Sequence, residues 1–184
     1  MSGYETPAAF RNALTDRLCN LAATSRWTLA QLQRHFAYDR LLERLYFDDE
    51  RWIVKGAVAL LARNLGVRAS LDVDVYRDSD LESAEADLRA AATRDIGDWF
   101  RFTVGPREAV ADDAVGVRFR VAAFVGERAW QEFPIDLVGS DLRMVGEPEH
   151  VVALADIAMP GDKAERLPRV SARRSPRRQD LGHG

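Results

Sequence analysis

"RASLDVDVY", residues 68–76, sets Asp72 and Asp74 two residues apart in a run whose composition otherwise reads as a β-strand. Strand side chains alternate between faces, so Leu71, Val73 and Val75 are expected on one face and Ser70, Asp72 and Asp74 on the other. Two carboxylates placed this way stand roughly 6 to 7 Å apart at Cβ and repel unless a cation or water separates them. A solvated sheet face tolerates such a pair with no function attached, so the surroundings decide its meaning.

Just upstream, "WIVKG" (52–56) reads as a short buried strand ending on Gly56, and "AVALLARNLG" (57–66) as a helix stopped by Gly66. A glycine turn from strand to helix exposes backbone N–H groups that favour phosphate. Gly56 is expected to supply that cradle, and Lys55 beside it either reaches a triphosphate or extends its stem to solvent. The helix between them can bring strands 52–55 and 69–76 side by side. "FPIDLV" (133–138) offers a third acid: Phe133, Ile135 and Leu137 alternate onto an apolar face and leave Asp136 on the polar one. Three carboxylates suit two Mg²⁺ ions that bridge a nucleoside triphosphate and activate an incoming hydroxyl.

The rest of the chain bounds this reading. Its 184 residues predict one domain, with 47% hydrophobic and 30% charged residues as in ordinary globular proteins. No apolar run approaches the roughly 18 residues of a membrane span, and no secretory signal is visible, so a cytoplasmic location is expected. A net charge of −3 argues against a broad nucleic-acid footprint. Cys19, the one cysteine, falls where helical periodicity predicts core, and it is given no catalytic role. His35, His150 and His183 have no metal-ligand spacing, so any metal must be held by oxygen.

Thr6 and Pro7 predict the start of a helix that runs to about Thr24, and Thr28 opens a second that reaches about Phe47. Ser79 and Glu82 have capping-box spacing for a helix ending near Thr93, and further strands are expected from Trp99, Val115 and Trp130. From Gly161 the composition changes: six arginines lie between Arg166 and Arg178 with almost no apolar periodicity, which predicts a segment poorly ordered by itself.

"KGAVALLARNLGVRASLDVDVY" (55–76) resembles the signature of the AbiEii/AbiGii-type nucleotidyltransferase toxins, which include the mycobacterial MenT group. That pattern is Lys-Gly-Gly-x-Ala-Leu followed by Arg-x-Ser/Thr-x-Asp-x-Asp. Lys55, Gly56, Ala59, Leu60, Arg68, Ser70, Asp72 and Asp74 match it, while Ala57 stands in place of the second glycine. "FRNALTDRL" and "YDRLLERL" are also similar, so the likeness covers roughly residues 5–157.

The resemblance implies an α+β fold: a nucleotidyltransferase-type mixed sheet, an N-terminal helical pair and an incomplete C-terminal helical part; the change of composition at Gly161 divides the chain into a domain of residues 1–160 and an Arg-rich tail of 161–184. It implies transfer of nucleotides from an NTP to an acceptor, in some members the 3′ end of tRNA, by the toxin of a toxin–antitoxin pair with a cognate antitoxin protein. Asp72, Asp74 and Asp136 would hold Mg²⁺ or Mn²⁺; Lys55, Gly56 and Ser70 would contact nucleotide; Ser70 would join the three acids in catalysis. The "GDKAERL" and "RRQDLG" stretches add Lys163 (or Arg166 under another registration) and Asp180 as imperfect matches to the family's later Lys and Asp. The rival readings are a catalytically inactive remnant or binding module of the same fold, and a small-molecule nucleotidyltransferase of the antibiotic-modifying kind.

Overall fold

Thr6 begins the first helix because its hydroxyl accepts the Ala9 N–H at 3.1 Å while Pro7 fills a first-turn position that needs no donor. A computed structural model of the chain describes residues 3–47, 49, 51–55, 71–108, 116–140, 149–151 and 170–172. Helix α1 is Pro7–Thr24. Helix α2, Leu29–Leu45, starts from a capping box in which Thr28 accepts from the Gln31 backbone and Gln31 accepts from the Thr28 backbone. It stops two residues before the expected Phe47, which is exposed. Cys19 is exposed as well and faces away from the core stripe of Phe10, Leu14 and Leu18, so its expected burial is corrected. Helix α3, Leu81–Ala92, is capped by Asp80, whose carboxylate accepts the Ser83 N–H at 3.0 Å. The ionised acceptor takes the cap one residue after the expected Ser79.

The strands are β1 (Trp52–Lys55), β2 (Val73–Arg77), β3 (Phe100–Glu108), β4 (Val117–Val125), β5 (Arg128–Val138), β6 (Glu149–Val151) and β7 (Val170–Ala172). They form one mixed sheet in the order β3-β4-β5-β2-β1-β7-β6. The β2·β5 and β1·β7 pairs are parallel, and the remaining neighbours are antiparallel. Residues 170–172 lie in the segment expected to be poorly ordered, yet they form β7 beside β1. The anticipated helix 57–65 and the C-terminal helical part lie outside the described residues.

The three helices among the described residues cover one face of the sheet. Tyr38 of α2 meets the Phe133 ring edge-on at 4.7 Å, Arg89 of α3 lies over Phe119 at 5.3 Å, and Arg11 of α1 donates to the Ala129 carbonyl. Phe119, Val121, Phe133, Ile135 and Leu137 are buried beneath them, which concentrates the apolar burial that drives folding on this side. Val73 and Val75 join the same core, but Leu71 does not: β2 begins only at Val73, so Leu71 lies outside the pleat and is 65% exposed. Among the described residues, no helix is long and apolar enough to cross a membrane.

Arg44 fastens α2 to the connection between α3 and β3. It is fully buried, and each of its five N–H groups has an acceptor: Nε on Arg94 O, Nη1 on Arg40 O and Asp98 Oδ2, Nη2 on Asp98 Oδ1 and Phe100 O. A buried ion pair so completely satisfied tolerates poorly the loss of one partner. Arg44→Met should therefore cost about 3–5 kcal/mol in urea unfolding, because it strands the Asp98 carboxylate; a loss under about 1 kcal/mol, the scale of an exposed pair, would contradict this role.

His35 is buried edge-on against Trp27 at 5.0 Å, with no hydrogen-bond partner for Nε2 among the described residues. Burial, reinforced by the charge of Arg34, pushes its pKa down to about 4. Between about 6.5 and 4 the unfolded chain then binds a proton that the folded one refuses, so stability should fall as pH is lowered through that window. His35→Leu should flatten this component in melting curves recorded from pH 7 to pH 4, and an unchanged slope would rule it out.

Candidate active site

The sheet face opposite the helices carries a row of charge. Register pairs Lys55 with Asp74, Asp74 with Asp136, and Asp136 with Arg118, so four charged positions lie side by side on β1, β2, β5 and β4. Adjacent strands are about 4.8 Å apart, which spreads the row over about 14 Å. Asp74 and Asp136 are half-buried on neighbouring parallel strands, while Phe133, Ile135 and Leu137 face the core as alternation predicts. At an effective dielectric near 20, two charges about 5 Å apart repel by about 3 kcal/mol, more than an ordinary hydrogen bond returns. A cation is therefore required nearby.

Arg118 supplies it. Its Nε and Nη2 each donate to one oxygen of Asp136 at 2.6 Å, and Nη2 lies 3.5 Å from Asp72. The hydrogen bond to Asp136, followed by the charges of Asp136, Asp72 and Asp74, holds the guanidinium protonated even more firmly than a free arginine. Arg118 thus joins Asp136 to Asp72, which precedes β2 rather than lying within it, and Asp74 lies beside Asp136 in register. Burial raises the pKa of the Tyr38 hydroxyl on α2; the charge of Arg34 opposes that shift and the charge of Asp72 adds to it. Gly116 admits β4 to this position. Its φ is +131°, and a Cβ there would meet the Leu137 carbonyl at 2.6 Å.

Arg118 was not among the residues singled out in the sequence. Its signal lies in "VRFRV" (117–121), where Arg118 and Arg120 alternate with buried Phe119 and Val121. Of the other expected site residues, Lys55 takes the register position beside Asp74. Gly56, Ser70, Lys163 and Asp180 lie outside the described residues.

The donor set fits a hard divalent cation. It consists of carboxylate oxygens on adjacent elements, it is partly open to solvent, and a guanidinium already stands on it as a cation. As the side chains stand, no three His, Cys, Asp or Glu among the described residues are grouped to hold a metal ion, and both Asp136 oxygens are engaged by Arg118. A separate cavity of about 600 Å³, lined by Tyr4, Arg94, Trp99, Phe100 and Arg101, adjoins the β4–β5 turn. It lies at the far end of β5, about 25 Å along the strand from Asp136, and is no part of the acid site.

A family profile described as nucleotidyl transferase AbiEii toxin, type IV toxin–antitoxin system, matches residues 40–166, more than half of the chain. The chain belongs to the AbiEii family. The match spans β1, β2, β4 and β5, so the whole charged row falls within the AbiEii region. MenT4, a nucleotidyltransferase toxin from Mycobacterium tuberculosis, has a similar structure, with a TM-score of 0.60 and 19% identity over 86% of this chain and 53% of its own. At that identity the likeness is one of fold. JHP933 from Helicobacter pylori matches with a TM-score of 0.42 and 15% identity, over 64% of this chain and 49% of its own. The chain spans about half the length of both structures. No curated protein matches it by sequence.

The Arg118–Asp136 pair is half-exposed, so its net worth is modest and screened by salt. A double-mutant cycle of Arg118→Met and Asp136→Asn should give a coupling of about 1 kcal/mol at low ionic strength, shrinking in concentrated NaCl. Zero coupling at low salt would deny the pair.

Proposed function

We propose that this AbiEii-family chain is a metal-dependent nucleotidyltransferase toxin that joins a nucleotide from an NTP to an acceptor hydroxyl, with the 3′ end of tRNA as the acceptor and an antitoxin protein as its cellular partner. The observation that carries the reading is the in-register pair Asp74 and Asp136, with Asp72 adjacent through Arg118, on the sheet face opposite α1, α2 and α3. Asp72, Asp74 and Asp136 would hold Mg²⁺ or Mn²⁺; when bound, the ion offsets charge on the triphosphate and on the departing pyrophosphate.

The acceptor oxygen forms a bond to the α-phosphorus as the bond from the α-phosphorus to the bridging oxygen breaks, and pyrophosphate leaves. The hydroxyl proton passes to a carboxylate of the acid group. Rigid placement helps: β2 and β5 are central strands, so the two backbones carrying Asp74 and Asp136 are fixed by pairing on both sides. Gly56, Lys55 and Ser70 complete the proposed nucleotide contacts, and Lys163 and Asp180 the proposed C-terminal contribution.

Incubating the purified chain with each α-labelled NTP, Mg²⁺ and total tRNA tests this directly. Label should be retained in tRNA, and Asp74→Asn should lower the rate by about 100-fold or more. Mg²⁺ together with an NTP should raise the melting temperature, and Asp74→Asn should remove the shift. A metal-dependent shift with label in no tRNA but in small hydroxyl compounds would select the small-molecule enzyme; no shift with any NTP would select the binding module.

A further inference from the structure

We propose that Arg118 is an internal counter-cation of the acid group, one that stands where a divalent ion would bind and must release Asp136 before metal and nucleotide can engage. This inference rests on the metal-dependent reading above and adds a positioning residue to it.

Three observations converge. Arg118 takes both Asp136 oxygens at 2.6 Å and reaches Asp72 at 3.5 Å, so one guanidinium spans a carboxylate on β5 and one on the residue just before β2. Each Asp136 oxygen already accepts one charge-assisted N–H bond, and the guanidinium charge beside it repels a second cation, so metal and Arg118 compete for the same carboxylate. The Arg118 side chain is 35% exposed, which leaves it room to turn outward when a better-charged partner arrives. The next outward-facing residue on β4, Arg120, pairs instead with Glu108 of β3, so the engagement with the acids belongs to Arg118 and is not a general property of the β4 arginines.

Counting charges gives the consequence. Arg118 offsets one carboxylate charge and Lys55 stands in register beside Asp74, so three acids still outnumber the two cations and the group attracts metal, but less than it would without Arg118. A triphosphate supplies both the oxygens that complete a metal's coordination and an anionic partner for the released guanidinium. Metal and nucleotide should therefore bind cooperatively, with weak metal uptake by the nucleotide-free chain.

The test is a Mn²⁺ titration of the full chain without nucleotide, followed by the electron paramagnetic resonance signal of free Mn²⁺, with circular dichroism confirming each fold. Arg118→Gln should bind Mn²⁺ at least tenfold more tightly than wild type, Arg118→Lys should fall between them, and adding Asp74→Asn to Arg118→Gln should remove the gain. The lysine variant, which keeps the charge but loses the fork, carries the comparison if the glutamine variant does not fold. Mn²⁺ binding by the charge-removed variant that is no tighter than wild type, or a gain that survives Asp74→Asn, overturns the proposal. Repeating the titration with a nonhydrolysable NTP separates the two claims. Wild-type uptake that appears with nucleotide and vanishes in Asp74→Asn leaves the enzyme reading standing even where the Arg118 inference has failed.

Discussion

A one-residue slip of β5 would carry Asp136 into the packed face and Ile135 onto the open one, because strand side chains alternate with period two. The site exists only in one register, and two features hold it there. On one side β5 runs parallel to β2, which sets Asp136 beside Asp74. On the other side it runs antiparallel to β4 with a register shift at Ala123/Phe124, where Trp130 is passed over between Ala129 and Gln131. Trp130 is not left loose: its indole N–H donates to the Gln33 carbonyl of α2 at 3.0 Å, and its ring packs edge-on against Phe100. The helical layer thus pins the irregularity that brings Arg118 opposite Asp136.

That register gathers charge that an apolar sheet would otherwise exclude. Asp72, Asp74 and Asp136 repel one another, and the fold contains the repulsion by seating Arg118 among them. Nothing comparable is needed at Arg44 and Asp98, where charge is buried but evenly matched and every donor is satisfied. The contrast supports the proposed function. The Arg44 pair is closed, dry and structural, whereas the acid group is half-open and carries more negative than positive charge, the condition under which metal and phosphate chemistry becomes favourable.

Much of this was legible in the residues themselves. Thr6-Pro7 and Thr28 mark helix starts by local residue chemistry alone, and both appear as read. The alternation in "FPIDLV" assigned Asp136 to the polar face because burial of Phe133, Ile135 and Leu137 leaves no other choice. Long-range consequences were less visible. Leu71 belongs to the alternating pattern, yet the strand starts after it, a boundary set by pairing with β1 and β5. Arg118 escaped notice because a regular hairpin around Gly126 would set it against Ile135; the bulge at Trp130 moves it by one residue. Cys19 was misplaced because α1 buries only a narrow stripe, and the periodicity that marks Leu14 and Leu18 does not extend to it.

The central claim is that Asp72, Asp74 and Asp136 form a metal–nucleotide site. Anomalous scattering at the manganese edge, from crystals grown with Mn²⁺ and a nonhydrolysable NTP, addresses it most directly. The account predicts a manganese peak among these three carboxylates, with the triphosphate beside it and Arg118 turned from Asp136. A nucleotide seated without metal in the cavity beside Trp99, or manganese bound anywhere away from the acids, would contradict it.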